Sequence, residues 1–120
     1  SDCKGDMRMK YVIAVIQPEK LDEVLDRLTE KEIHLVTVSE VKGRGRQKGI
    51  PAAPRGHERE GDLLPKVKLE IVVEDIALDQ VLKIILDKAR TGEKGDGKIF
   101  VTPVEDALRI RTGDRGKEAL

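Results

Sequence analysis

Cysteine, aromatic rings and long apolar runs are what this 120-residue chain has least of. Its one cysteine, Cys3, excludes an internal disulfide framework. One tyrosine, one phenylalanine and no tryptophan leave no stacking platform for RNA or single-stranded DNA. The longest apolar run, residues 11–16, falls far short of the roughly 20 residues that span a bilayer, so membrane insertion is not expected. Net charge is missing too. Lys plus Arg is 23 and Asp plus Glu is 23, which removes any bulk attraction to nucleic acid or to a lipid surface. No charged-then-apolar leader is legible, and the expected compartment is the cytoplasm. The two histidines, His34 and His57, have no Ser, Cys or carboxylate in triad context. His57-Glu58-Arg59-Glu60 is not H-E-x-x-H. No catalytic residue is picked out, and the chain is not expected to be an enzyme.

What is present is charge of both signs, at 38% of residues, and an equal 38% of hydrophobic residues. That suits one domain with a modest core and a salty surface. A chain this small buries a limited fraction of its own surface, so self-association is expected. Residues 1–8 read as a flexible N-terminal tail and residues 9–120 as a single domain.

The apolar, β-branched run 11–16 reads as a strand buried on both faces. Pro18 and Glu19 open a helix, and Leu21, Val24, Leu25 and Leu28 lay one apolar stripe along it to about Lys31. Residues 33–41 alternate and carry Val, Thr and Leu, the pattern of a second strand. Residues 66–73 form a third, with Val67, Leu69, Ile71 and Val73 on one face. Leu78, Val81, Leu82, Ile85, Leu86 and Ala89 mark a second helix of about 14 residues. Residues 99–104 are a fourth strand ending around Pro103, and 108–110 a short edge segment.

Strand–helix–strand thus occurs twice, which predicts an α+β, ferredoxin-like βαββαβ domain with a four-stranded antiparallel sheet. Both helices fall on one face. The other face needs a cover, and Val12, Ala14, Ile16, Val36, Val38 and Val72 are read as the apolar residues that require it. Self-association through the sheets supplies one.

Residues 42–63 break every periodicity, holding five of the eleven glycines and two of the five prolines. A structureless stretch of this length inside a small domain marks a functional or disordered loop. Six cations (Lys42, Arg44, Arg46, Lys48, Arg55, Arg59) face three anions (Glu58, Glu60, Asp62) in it. Gly43-Arg44-Gly45-Arg46-Gln47-Lys48-Gly49 lets backbone approach an anion closely and supplies cationic donors. It is not a dinucleotide fingerprint, because its third glycine comes one residue late and no helix follows. Gly92 to Lys98 has the spacing G-x-x-x-x-G-K, but Ile99 stands where Ser or Thr is required and the order is helix to strand, so it is no Walker A loop. Gly92 reads as a helix-terminating glycine. Gly95-Asp96-Gly97 goes beyond a stop signal, with Lys98 beside it. Arg109-Ile110-Arg111, if extended, points two guanidinium forks one way, which suits phosphate.

Taken in order, Glu40-Val41-Lys42-Gly43, Gly45-Arg46-Gln47-Lys48-Gly49, Leu64-Pro65-Lys66-Val67-Lys68, Ala89-Arg90-Thr91-Gly92, Gly95-Asp96-Gly97-Lys98-Ile99-Phe100 and Arg109-Ile110-Arg111-Thr112-Gly113 resemble the PII signal-transduction family over about residues 10–116. The resemblance implies a homotrimer whose sheets face the three-fold axis, with ATP or ADP bound competitively in clefts between subunits. Gly95, Asp96, Gly97 and Lys98 would contact the nucleotide from one subunit, and Arg109 and Arg111 would reach its phosphates from the neighbour. Thr37 and the backbone near Val36 would hold the adenine, with Gly45, Arg46 and Gln47 at the phosphate end. It further implies 2-oxoglutarate beside Mg-ATP at the base of the long loop, about residues 43–63, the family's T-loop. Gln47 would complete the Mg²⁺ coordination, while Lys66 and the backbone around Lys48 and Gly49 would meet the carboxylates. Ligand state would reshape the loop, which controls a partner protein, a transporter or a metabolic enzyme.

Departures from the family pattern concentrate in that loop. The usual Tyr-Arg-Gly-Ala/Ser-Glu-Tyr is Pro54-Arg55-Gly56-His57-Glu58-Arg59 here. Arg59 replaces the tyrosine that is uridylylated or adenylylated in many members, and His57 the serine phosphorylated in others, so neither covalent switch is chemically available at those positions. Arg55 matches the arginine with which some members plug an ammonium-transporter pore. Gln17 stands where a lysine is frequent, and residues 51–54 stiffen the loop tip. These departures open a second reading, a divergent sensor of another small anion such as bicarbonate, tied to a transporter or a carbon-fixation module. A slow ATPase is a third class, against which stands the lack of a residue to orient water.

Overall fold

A computed structural model of the chain describes residues 8–45 and 63–120. The tail residues 1–7, with Cys3, and the loop residues 46–62, with Arg46, Gln47, Lys48, Gly49, Arg55, His57 and Arg59, lie outside the described residues.

Six principal elements follow in the order β1 (Met9–Ile16), α1 (Leu21–Glu30), β2 (Val36–Gly43), β3 (Leu64–Glu74), α2 (Asp75–Ala89) and β4 (Lys98–Val104). A 3-10 turn, Pro18–Lys20, leads into α1, and a second, Gly116–Ala119, closes the chain. The sheet order is β2-β3-β1-β4 with every pair antiparallel, so the ferredoxin-like arrangement is as the alternating pattern implies. Arg8 already belongs to the fold, its carbonyl accepting from Asp75 N at 3.3 Å at the start of α2.

The core lies between the sheet and the two helices. Val12, Ala14 and Ile16 of β1 sit opposite Ile71, Leu69 and Val67 of β3, and all six are buried under Val24 and Leu28 of α1 and Val81, Ile84 and Ile85 of α2. Burying each Val, Leu or Ile side chain of this set is worth about 1.5–3 kcal/mol. The exposed Arg27–Glu30 pair, 2.8 Å apart, is of a class worth about 0.5 kcal/mol, so the apolar stripes and not the ion pairs fix the helices.

This register corrects the reading of the sheet faces. Val12, Ala14 and Ile16 are covered by the helices, and Val36 and Val38 share their face, opposite Ile71 and Leu69. Only Val72 of the six expected residues belongs to the open face. That face carries Tyr11, Ile13 and Val15 instead, with Phe100 opposite Ile13 and Val41 opposite Lys66. The reason is that β1 is apolar at both parities, so its own sequence cannot tell one face from the other.

Boundaries shift for local reasons. β2 starts at Val36, not Ile33, because the end of α1 takes those residues: Glu32 adopts φ 64° and Ile33 N donates to Leu28 O at 2.9 Å. Pro103 lies within β4, opposite Lys10, and is tolerated because β4 is an edge strand. Gly92 is not the glycine that ends α2. The helix stops at Ala89 with Arg90 extended (φ −77°, ψ 131°), and Gly92 serves the following turn.

Candidate functional site

Two groups of expected site residues are separated in the subunit, and each has its own geometry. The first is the turn at residues 91–98, between α2 and β4. Asp96 braces it. Its Oδ1 accepts from Thr91 Oγ1 at 2.6 Å, and its Oδ2 from the backbone N–H groups of Thr91 at 2.8 Å and Gly92 at 2.9 Å. Glu93 N adds a bond to Thr91 Oγ1 at 3.0 Å. The Thr91 hydroxyl, with the Thr91 and Gly92 amides behind it, holds the Asp96 carboxyl below its ordinary value of 3.8. Both carboxylate oxygens are thus committed to the turn itself, which makes Asp96 a positioning residue in this arrangement.

Gly95 and Gly97 shape the turn. Both have positive φ, 92° and 105°. A Cβ on Gly97 would lie 1.7 Å from the Val15 carbonyl oxygen, so only glycine lets the turn press onto β1. Lys98 follows, exposed, at the start of β4. Lys66, where β3 leaves the long loop, reaches this turn: its ammonium donates to the Gly95 carbonyl at 2.8 Å and to Gln17 Oε1 at 3.4 Å. Behind the turn a cavity of about 460 Å³ runs between α2 and β4, lined by Leu82, Ile85, Leu86 and Val101 with Asp96, Gly97 and Lys98.

The second group surrounds Val36 and Thr37. They line a cavity of about 540 Å³ with Tyr11, His34, Leu35, Glu70, Val72, Ala119 and Leu120. Arg109 is tied to this side, its Nη2 donating to Leu120 O at 2.8 Å. Residues 109–113 are not extended, contrary to expectation. Gly113 takes φ 79°, its N–H bonds Arg109 O at 2.7 Å, and Arg109 N bonds Asp114 O at 2.9 Å, folding the segment into a turn. Arg109 is half-buried while Arg111 is exposed. An ion pair between Asp106 and Arg115 closes the base of this turn, where Leu108 and Arg115 form an isolated bridge. Arg115, with the Ala107 amide, keeps the Asp106 carboxyl below its ordinary 3.8. Gly45 lies beyond the end of β2, with nothing among the described residues within 4 Å of its Cβ position.

Sequence reasoning missed Tyr11 and Glu70. Tyr11 hydroxyl donates to the Glu70 carboxylate on the open face of the sheet, beside Thr37, which pairs with Glu70 in the β2–β3 register. The partnership was legible only through the register that sets Tyr11 diagonal to Glu70. The bond to Glu70, then burial, then the charge of Glu70 raise the Tyr11 phenol above its ordinary 10.0. A group raised on folding contributes stability that is complete below 10.0 and lost as pH climbs through the raised value. In a spectrophotometric titration the phenolate is therefore expected above pH 10.0, and Glu70→Gln should bring it back down. A wild-type midpoint at 10.0 or lower would show that the pair does not form.

A family profile described as "Nitrogen regulatory protein P-II" matches residues 9–114. That is most of the chain. The chain belongs to the PII nitrogen-regulatory family. It is 51% identical over 112 residues to nitrogen regulatory protein P-II 2 of Methanothermobacter thermautotrophicus, covering 93% of this chain and 97% of that protein. To the P-II protein of Azospirillum brasilense it is 52% identical over 112 residues, covering 93% of this chain and all of the other. Among solved structures, the PII protein of Arabidopsis thaliana bound to citrate superposes with a TM-score of 0.78 at 40% identity, over 96% of this chain and 94% of that one. PII proteins are signal-transduction regulators of nitrogen metabolism that assemble as trimers, bind small effectors and act on target proteins. No helix among the described residues is long and apolar enough to cross a membrane.

Proposed function

We propose that this chain is a homotrimeric, non-enzymatic cytoplasmic sensor that binds ATP or ADP in clefts between subunits and takes 2-oxoglutarate with Mg²⁺ at the base of the 43–63 loop. It controls a partner protein through that loop, without uridylylation. The observation that carries the reading is the meeting of Lys66 with the turn at residues 95–98. A backbone opened by glycines, two lysines and the start of the loop converge at one end of the sheet. That is the chemistry of a site for phosphates and a carboxylate. The citrate-bound plant relative is a PII protein holding a polycarboxylate, in keeping with an anionic effector.

The donors present fit a nucleotide with its own metal. Among the described residues no three His, Cys, Asp or Glu are grouped to hold a metal, and Asp96 is spent on its turn. Mg²⁺ here would be held by phosphate and effector oxygens with Gln47, as suits an ion that keeps few protein ligands. When bound, it would supply charge neutralisation between those anions. Val36, Thr37 and the cavity they line would take the adenine. Gly45, Arg46 and Gln47 would meet the phosphate end, as would Arg109 and Arg111 of the neighbouring subunit. Lys48, Gly49 and Lys66 would meet the effector.

Calorimetric titration tests this. 2-Oxoglutarate is expected to bind with Mg-ATP and not with ADP. No binding of ATP at all would end the reading. Nucleotide binding with silence toward 2-oxoglutarate, and heat on adding bicarbonate, would replace it with the divergent anion sensor.

A further inference from the structure

Three segments far apart in sequence meet on the Lys66 ammonium. It leaves β3 beside the long loop, donates to the Gly95 carbonyl in the turn before β4, and donates to Gln17 at the end of β1. Both polar atoms of the Gln17 amide lie at this meeting point, and its bond to the ammonium is the longer of the two that Lys66 donates. Its Oε1 is 3.4 Å from Lys66 Nζ, and its Nε2 would lie 3.1 Å from a Cβ built on Gly95. Gln17 is half-buried, and its backbone is pinned: φ −70° and ψ 139° ahead of Pro18, with its carbonyl accepting from Lys20 N at 3.0 Å. A pinned backbone with a half-buried side chain gives the amide little freedom.

An ammonium has three N–H donors. Among the described residues Gly95 and Gln17 take two, and no third acceptor is found. Both acceptors are neutral, so they fix the direction of the group without cancelling its charge. We propose that Gln17 is the positioning residue of the anion site: it holds the Lys66 ammonium at the turn with its third donor and its full charge available to one carboxylate of a small dicarboxylate. The proposal rests on the reading that an anionic effector binds at Lys66. It gives position 17 a requirement that neither an acid nor an apolar residue meets. A glutamate there would pair with Lys66 and neutralise it, whereas a leucine would release it.

Two orders of variants separate this role from a merely structural one. In titrations of 2-oxoglutarate into Mg-ATP-loaded protein, Gln17→Leu is expected to weaken binding about tenfold, the loss of one orienting hydrogen bond to a charged group. Gln17→Glu is expected to weaken it about a hundredfold, because the cation is consumed by its neighbour. Thermal stability should run the other way between the two, with Gln17→Glu above Gln17→Leu, since the ion pair still ties the segments together. Affinity and stability falling in the same order, or an unchanged affinity in Gln17→Glu, would overturn the proposal.

A readout without effector keeps the inference apart from the functional reading. If wild-type protein binds Mg-ATP but no 2-oxoglutarate, the effector assignment fails. The positioning role is then judged from the NMR amide signal of Asp96, whose peptide shares the Gly95 carbonyl. Gln17→Leu and Lys66→Met should each move that signal, and the double variant should move it no further than Lys66→Met alone. A signal that Lys66→Met shifts and Gln17→Leu leaves in place would show that Gln17 does not hold the lysine.

Discussion

Gly97→Ala is expected to cost the fold about 3 kcal/mol or more, adding backbone strain to a steric clash. The residue sits at φ 105°, and the new methyl would lie 1.7 Å from the Val15 carbonyl oxygen and 2.9 Å from its carbon. Neither neighbour is the end of a flexible side chain that could swing away. Both belong to the backbone of β1, which is paired on its two sides with β3 and β4. The turn must therefore lift off the sheet, and the phosphate-binding geometry proposed for it goes at the same time. Gly92→Ala is the matched control, with φ 90° but nothing within 4 Å of the added carbon, so it carries the conformational cost alone, about 1 kcal/mol. Urea unfolding measures both. The midpoint should fall much further for Gly97→Ala, and equal shifts would show that the close approach to Val15 does not hold in solution.

Ile13→Glu is expected to turn a trimer into a monomer. Helices cover one face of the sheet, and the other presents Tyr11, Ile13 and Val15 down its centre with Val72 and the 54% exposed Phe100 alongside. A four-stranded sheet with an apolar open face is stable in water only when something covers it. In a three-fold assembly of facing sheets each substituted subunit brings a carboxylate to the same enclosed region. Desolvation costs several kcal/mol per ion, and the three charges repel. Light scattering behind size-exclusion chromatography should report 13.4 kDa for the variant against three times that mass for the wild type, with an unchanged helical signal in circular dichroism. A variant that remains trimeric would place the assembly surface elsewhere.

The legible parts of this fold were those in which the pattern is local. The stripe Leu21, Val24, Leu25, Leu28 is a helix on any reading, and the alternation Val67, Leu69, Ile71, Val73 assigns one face of β3 unaided. β1 did not disclose its faces because every residue from Tyr11 to Ile16 is apolar, and only its register with β3 decides which half is covered. The glycines of the turn at 95–98 stood out by composition. The role of Asp96 did not, since a carboxylate turned back on Thr91 and Gly92 has the same sequence as one turned toward a ligand. Arg109-Ile110-Arg111 read as extended because nothing in three residues announces the bond from Gly113 N that folds them back. The Lys66–Gly95 contact joins residues 29 apart, and the family resemblance placed the two in ligand sites without pairing them. Arg46, Gln47, Lys48 and Gly49, expected at the phosphate and effector end, lie outside the described residues.

The pairing of Tyr11 with Glu70 makes the protein its own optical reporter. With one tyrosine and no tryptophan, the near-ultraviolet emission of the chain arises almost wholly from one phenol on the open face of the sheet, at the rim of the cavity that holds Thr37. A carboxylate hydrogen-bonded to that phenol quenches it, so anything that draws Glu70 away brightens the whole protein. Subunit association, and entry of the purine proposed to sit beside Thr37, would both act at that spot and could be followed without a label. The same scarcity has a practical side: column fractions rich in this protein look nearly empty to a monitor set to the aromatic absorption band, and must be followed by their peptide absorbance instead.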